Sequence, residues 1–455
     1  MVALGDAEKA DFVAKAIEDY KGTAVYQNAK IADDYDRCRN TTIMNYQKML
    51  NRVTGERVPD KVSPNHKSTS NFYNIFCTQL NQYLLGNGVS FNDKATEKKL
   101  GADFDNRLQE MGHAALVHGV AFGFYVGDHI RVFTALEFVP LYDEDTGALS
   151  AGIRFWQLSS DKPMRATLYE LDGYTEYLWD KDNTPQGKWQ SVDKGVYKID
   201  KRPYKLKVRK SEADGEEIYD GENYPAFPVV PMWGNPHKVA ELVGMREKID
   251  AYDMILNGFE NDLDNAQVYW IIKGAGGMDD VDLTQFLERL RLVGAAVPED
   301  GQEVTAQTVE IPHEAREKLL DRLEKQLYRD AMIMNPEDIA SGATTATQIR
   351  AAYERQNVKC DQFEYCVIDF IHGILSVAGT QDDPTFTRST IVNVQEEVQT
   401  VVMAATYLTD EYVTRKILTL MGDGDKADEI IRSMDANDAE RLANVEVKPE
   451  EEPAE

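Results

Sequence analysis

The sequence is poor in cysteine and has no long apolar run. Its 455 residues include four cysteines, too few for a disulfide scaffold, which favours a reducing, intracellular setting. The longest apolar candidate, residues 366–378, is short and contains Asp369 and His372. A membrane-spanning helix needs about 20 predominantly apolar residues, so we expect none here.

Positive charge is also scarce. There are 50 Lys and Arg residues against 78 Asp and Glu residues, and the formal net charge is −28. Proteins that hold nucleic acid by neutralising phosphates need clustered Lys and Arg, so the composition argues against that class. It does not argue against a protein that DNA slides past, because acidic side chains repel phosphate.

The signatures of common enzyme classes are missing too. The sequence contains no G-x-x-x-x-G-K-[ST] phosphate loop, no H-E-x-x-H and no G-x-S-x-G. The glycine-rich stretch 274–277 lacks the G-x-G-x-x-G spacing of a dinucleotide loop. We therefore predict no catalytic residue, no metal site and no cofactor.

What the sequence does contain is a pattern typical of an α+β protein. With 42% hydrophobic residues, its length allows roughly three domains of about 150 residues each. Helical periodicity covers residues 1–118, and short β-rich runs separated by turn residues follow up to residue 208. Prolines at 225–236 lead into a long predicted helix, 239–264.

That predicted helix has an apolar face flanked by an acidic one. The apolar positions, at spacings of three and four, are Ile249, Tyr252, Leu256, Phe259 and Leu263. The next stripe is polar and consists of Asp253, Asn257, Glu260 and Asp264. Such a stripe fits an ordinary solvated helix face.

Three blocks of sequence occur in a characteristic order. The first is LNQYLLGNGVSF at 80–91, and the second is VAFGFY at 120–125 with EFVPLYD at 137–143. The third is FPVVP at 227–231, followed by KIDAYD at 248–253. Together, over roughly residues 70–375, they resemble the portal proteins of tailed bacteriophages, in particular the SPP1-like portal family.

The resemblance implies a non-enzymatic ring, typically a dodecamer, at one vertex of the phage capsid. Double-stranded DNA would be packaged and later ejected through it without sequence-specific binding. The implied partners are further copies of the chain, the large terminase, the major capsid protein, the scaffolding protein and a head-completion or adaptor protein, with no membrane. The implied location is the virion, and the host cytoplasm during assembly.

The resemblance also divides the α+β chain into the regions of a portal fold. These are a wing with helical and β-rich parts (1–232), a stem helix (239–264), a small α+β clip (265–311), a second stem helix (312–331), a tunnel loop (332–345), a long wing helix (346–379), a helical crown (389–443) and an acidic disordered tail (444–455). On this mapping Asp253, Asn257, Glu260 and Asp264 line the DNA channel. The tunnel-loop residues would be Asn335, Glu337, Asp338, Ser341 and Thr344.

Two alternatives stay open at this level. The first is an intracellular enzyme or regulatory subunit with an unrecognised site, which a cluster of buried, converging carboxylates with a histidine would indicate. The second is an acidic scaffold or adaptor protein. Such a protein would pack loosely, and the aromatic-rich strands argue against this alternative.

Overall fold

The computed structural model describes most of the chain. The described residues are 5–51, 56–61, 63–210, 217–264, 268–273, 303–308, 313–335, 346–389, 394–422 and 424–434. Most of the predicted clip and the whole predicted tail lie outside them. So do four of the predicted tunnel-loop residues, Glu337, Asp338, Ser341 and Thr344.

Helices dominate the first 118 residues, as predicted. They are α1 (Asp6–Lys21), α2 (Ala24–Asp36), α3 (Thr41–Asn45), α4 (Phe72–Leu85), α5 (Lys94–Leu100) and α6 (Phe104–His118). Short strands lie between them: β1 (Met49–Asn51), β2 (Arg57–Pro59) and β3 (Val89–Ser90). Helix α4 forms because Phe72, Phe76, Leu80 and Leu84 recur every four residues, and all four are buried.

The β-rich region that follows is antiparallel, which confirms the second prediction. Its strands are β4 (Val120–Tyr125), β5 (Ile130–Thr134), β6 (Phe138–Tyr142), β7 (Leu149–Trp156), β8 (Met164–Glu170), β9 (Gly173–Trp179), β10 (Gln190–Asp193), β11 (Val196–Arg202), β12 (Lys205–Lys210), β13 (Glu217–Glu222) and β14 (Val229–Trp233). One sheet has the order β10-β11-β9-β8-β7-β6, and another has β14-β4-β5. Helix α1 packs Val13 and Ile17 against the first sheet.

Two long helices and a β-ribbon come next. Helix α7 (Arg246–Asp264) packs against α8 (His313–Ala331). The ribbon consists of β15 (Val268–Lys273) and β16 (Glu303–Thr308), which pair antiparallel between the end of α7 and the start of α8. The helix predicted from residue 239 starts seven residues later, because Gly244 has a left-handed φ of 90° that a helix cannot contain.

Helix α9 (Ala346–Val377) crosses the β14-β4-β5 sheet and completes the largest core. Its residues Phe363, Val367 and Phe370 are buried. A Cβ atom on Gly123 of β4 would lie 2.7 Å from the ring of Phe370, so only glycine allows this close approach. The predicted long helix over 346–379 is confirmed to within two residues of its end.

The C-terminal region is helical where it is described. After β17 (Thr385–Phe386), which pairs with β3, come α10 (Val394–Ala404) and α11 (Asp410–Met421). Helices α10 and α11 pack against each other. Within the described ranges, no helix is long and apolar enough to cross a membrane.

Candidate functional site: the polar face of helix α7

The polar stripe predicted on α7 exists, but Asp253 and Asn257 face the protein interior, together with Asn261 one turn further on. Asp253, Asn257 and Asn261 are four residues apart, so their side chains lie above one another on one side of the helix. Their exposed fractions are 0%, 2% and 6%. A non-helical segment, residues 64–70, covers them.

Each of the three side chains accepts a hydrogen bond from a backbone N–H of that segment. The bonds are Ser70 N–H to Asp253 Oδ1 (2.9 Å), Ser68 N–H to Asn257 Oδ1 (2.8 Å) and His66 N–H to Asn261 Oδ1 (2.8 Å). Four helical residues rise about 6.0 Å, and two residues of an extended chain span about 6.6 Å. The two distances are similar. Side chains at every fourth residue of α7 can therefore bond to every second backbone amide of the extended segment. We call this set the α7 clasp.

Asn257 is the central residue of the α7 clasp. Besides accepting from the Ser68 N–H, its Nδ2 donates to the Ser68 carbonyl at 2.7 Å and to the Asp253 carbonyl at 2.6 Å. Both backbone groups of Ser68 are therefore satisfied by one amide side chain. The side-chain amide of Asn supplies the donor and the acceptor on two separate atoms.

Asp253 is a buried acid with two donors. Oδ1 accepts from the Ser70 N–H, and Oδ2 accepts from Nδ2 of Asn40, which also donates to the Ser70 carbonyl at 3.1 Å. Burial raises the pKa of the Asp253 carboxyl above its ordinary value, while the bonds from Asn40 and Ser70 oppose that shift. The carboxyl thus links α7 to the segment preceding α3.

The remaining two residues of the stripe lie at the rim of the α7 clasp. Glu260 is half-buried, and its Oε2 accepts from the Ser68 hydroxyl at 2.7 Å. Asp264 is 56% exposed and contacts the imidazole of His66. Both carboxylates retain access to solvent.

The structure corrects the sequence-based assignment of this stripe. Asp253 and Asn257 were expected on an exposed face, whether solvated or lining a channel, and both are buried. The prediction that these two line a channel is wrong, because a side chain without solvent access cannot face one. Glu260 and Asp264 remain candidates.

Of the five residues assigned to the predicted tunnel loop, only Asn335 lies in the described part of the chain. Asn335 follows α8 and is buried, with an exposed fraction of 7%. The preceding residue, Met334, donates its N–H to Oε1 of the buried Gln356 on α9 at 3.0 Å. The start of the loop is therefore fixed to the long helix.

Sequence reasoning missed a second attachment at the start of α7. Asp250 accepts hydrogen bonds from the hydroxyls of Tyr35 and Thr42, the latter at 2.7 Å. Arg246 lies 3.7 Å from the same carboxylate. No local pattern marks these pairs, which join α7 to α2 and α3 across more than 200 residues of sequence.

The arrangement suits mechanical fixation and not chemistry. The polar side chains described above bond to backbone groups or to other side chains of the same chain. In the parts of the chain that the structure describes, no group of three or more His, Cys, Asp or Glu residues could hold a metal ion. The α7 clasp joins α7 to residues 64–70 of the N-terminal region. Comparison with known proteins shows to which family this arrangement belongs.

The family model described as "Phage portal protein, SPP1 Gp6-like" matches residues 26–440. The chain belongs to this family of phage portal proteins. The portal protein of Bacillus phage SPP1 is 24% identical to it over 386 residues, which cover 78% of this chain and 73% of the relative. The portal protein of Clostridium phage phiCD119 is 25% identical over 193 residues, covering 40% of this chain and 43% of the relative.

Solved structures give weaker similarities. A chain in the virion of a native gene transfer agent particle is 11% identical, with a TM-score of 0.40, and the match covers 76% of this chain and 87% of that one. A portal protein of the HK97 family from Corynebacterium diphtheriae is 11% identical, with a TM-score of 0.34, covering 69% and 91%.

Family membership confirms the resemblance found in the sequence. Portal proteins are structural virion components and not enzymes, so the hypothesis of an unrecognised active site is wrong for this chain. The hypothesis of a free-standing acidic adaptor is likewise wrong, because the chain is a component of the portal and neck region of the virion.

Proposed function

We propose that this portal protein assembles into a ring at one vertex of the phage capsid and that double-stranded DNA passes through the ring during packaging and ejection. The observation that carries the proposal is the family match across residues 26–440. A dodecamer is the assembly that the sequence resemblance implies. Passage requires no sequence-specific contact with the bases.

The order of elements supports a stem-and-clip arrangement. Helices α7 and α8 have 19 residues each, which corresponds to about 28 Å of helix. They pack together, and the β15-β16 ribbon joins them at one end. We assign the helix pair to the stem and the ribbon to the clip. The α7 clasp would then fix the stem to the N-terminal wing.

We assign partners by region. The clip would face the large terminase during packaging and the head-completion protein afterwards. The major capsid protein and the scaffolding protein would contact the wing. In the channel wall we retain Glu260 and Asp264, and in the tunnel loop Asn335, Glu337, Asp338, Ser341 and Thr344.

Electron microscopy of the purified protein tests the ring. We expect closed rings with a central hole, alone or after co-expression with the capsid and scaffolding proteins. A chain that stays monomeric and monodisperse in all of these conditions would contradict the proposal. An Asp253→Ala variant serves as a comparison. Loss of the α7 clasp should lower the yield of rings and leave their diameter unchanged.

A further inference from the structure

A basic groove lies between α8 and α9. It has a volume of about 830 Å³, and the cations along it are Lys318, Arg322, Lys325, Arg329 and Arg355. Asp321 is the one acid among its described lining residues. The groove thus has the opposite sign to the chain as a whole, which carries a net charge of −28.

The basic groove is unusual even within its own region. Residues 239–343 contain 22 acidic and 10 basic residues, and five of those 10 bases belong to α8. Arg316 pairs with Asp262 at 2.6 Å, as expected in an acidic environment. By contrast, Arg322, Lys325 and Arg355 have no hydrogen-bond or ion-pair partner among the described residues and are exposed.

The cations of the groove that belong to α8 lie in a straight line along the helix. Lys318, Arg322, Lys325 and Arg329 occur at i, i+4, i+7 and i+11, so they follow one side of the helix. At 1.5 Å per residue, the line is about 16 Å long. One strand of B-form DNA carries a phosphate per 3.4 Å of axis, so a line of this length covers an axial distance that contains about five phosphates of one strand.

We propose that the basic groove contacts the phosphate backbone of double-stranded DNA as it passes the stem. This rests on the proposed channel function and names the residues that would touch the DNA. A regularly spaced row of cations fits a regular polyanion. Its two central members, Arg322 and Lys325, have no partner among the described residues, whereas Lys318 and Arg329 make exposed ion pairs with Glu314 and Asp330 that phosphates can replace. An acidic protein segment would instead need its own carboxylates in register. The contact is independent of base sequence because it involves phosphates alone.

Such a contact guides DNA without holding it. Each copy of the groove neutralises only a few phosphates, and the affinity of such a contact falls steeply with salt. The negative charge elsewhere on the chain repels the rest of the duplex. The basic groove would keep the DNA at a set distance from the acidic stem while allowing it to slide.

Fluorescence anisotropy with a labelled duplex of about 30 base pairs tests the contact at salt concentrations between about 50 and 200 mM. The variant is Arg322→Gln with Lys325→Gln, which removes two exposed charges. We expect its affinity to fall at least about tenfold at the lowest salt, and the slope of log K against log salt to become shallower by about 2 for each groove that contacts the duplex.

The matched control is Lys181→Gln with Lys194→Gln, which removes two exposed charges near the edge of the β10-containing sheet. Equal losses in both variants, or no duplex binding by the unaltered protein, would overturn the proposal. So would tighter binding to an acidic peptide than to the duplex, which would identify the groove as a protein interface.

Electron microscopy of the same samples separates this proposal from the channel function. If the groove variant forms rings and binds the duplex as the unaltered protein does, the groove assignment fails and the ring proposal stands. If the groove variant loses its rings but keeps its affinity for the duplex, the groove is a subunit contact and the assignment also fails. Failure of the unaltered protein to form rings contradicts the channel function itself.

Discussion

Helices α7 and α8 have the same length and pack against each other, yet they direct their polar stripes in opposite ways. On α7, Asp253 and Asn257 are buried against residues 64–70. On α8, Arg322 and Lys325 are exposed without partners among the described residues. A polar helical stripe therefore does not reveal by itself whether it faces solvent.

The difference lies in the kind of side chain. Asp and Asn are short and readily bond to nearby backbone groups, so they can replace water around a covering segment. Lys and Arg are long and keep their charged ends in water. A stripe of Asp and Asn at four-residue spacing is therefore compatible with burial, whereas a stripe of Lys and Arg indicates a free surface.

The largest expected effect comes from removing the buried acid. Asp253→Ala should lower the free energy of unfolding by about 4 kcal/mol, because two buried donors each lose an acceptor at a cost of about 1–3 kcal/mol. Urea denaturation followed by circular dichroism measures it. Asp253→Asn is the control, since it keeps an acceptor for the Ser70 N–H. Equal losses in both variants would show that charge matters more than the hydrogen bonds.

Asn257→Leu should lower the free energy of unfolding slightly less, by about 3 kcal/mol. The substitution leaves the N–H and the carbonyl of Ser68 unpaired in a partly buried position. The same denaturation measurement applies. Asn183→Leu, at an exposed position, is the matched control and should change stability by less than about 0.5 kcal/mol. A loss below 1 kcal/mol for Asn257→Leu would mean that water readily replaces the amide.

A smaller effect should depend on pH. The pKa of Asp253 is raised above its ordinary 3.8 in the folded chain, so the folded state takes up this proton more readily than the unfolded state. Relative to Asp253→Asn, the unaltered protein should gain stability as pH falls through the folded pKa towards 3.8 and lose it as pH rises. A stability difference that stays constant from pH 7 to that point would contradict a raised pKa.

At the rim, substitution should affect DNA passage and not folding. Asp264→Lys replaces an exposed carboxylate whose pairing with His66 contributes less than about 1 kcal/mol. If Asp264 lines the channel, packaging of DNA into capsids should slow while rings still form. Glu260→Lys with Asp264→Lys should slow it further. Unchanged packaging rates would remove both residues from the channel wall.

The smallest effect on stability is expected on α8. Arg322→Gln with Lys325→Gln removes exposed charges that have no described partner, so the free energy of unfolding should change by less than about 0.5 kcal/mol. Thermal unfolding monitored by circular dichroism measures it. A loss of 2 kcal/mol or more would show that these side chains belong to a structural contact and that the contrast with α7 is false.

Much of this fold could be predicted from the sequence, because its signals are local. The four-residue apolar repeat predicts α4, turn residues separate the strands of the β-rich region, and ordered sequence blocks identify the family. The covering of α7 could not be predicted. Ser68 and Asn257 are 189 residues apart, and the bonds between them use backbone groups that leave no trace in the side-chain pattern.

The start of α7 and the candidate site show the same limit. Gly244 interrupts a helical pattern without removing its periodicity, so the prediction extended seven residues too far. The residues Ser68-Thr69-Ser70 directly precede α4, and the sequence does not reveal that Ser68 and Ser70 also cover α7. Arg322 and Lys325 are plain in the sequence, but their lack of partners among the described residues depends on where α7 and α9 lie.

The close approach of Phe370 to Gly123 has a consequence for the order of folding. The β14-β4-β5 sheet unites residues 120–134 with 229–233, and α9 covers it only after about 370 residues have been synthesised. Contacts of such sequence separation form late. We expect the nascent chain to expose this apolar sheet until α9 leaves the ribosome, so that only a finished chain can join other copies, and an incomplete one is a target for chaperones.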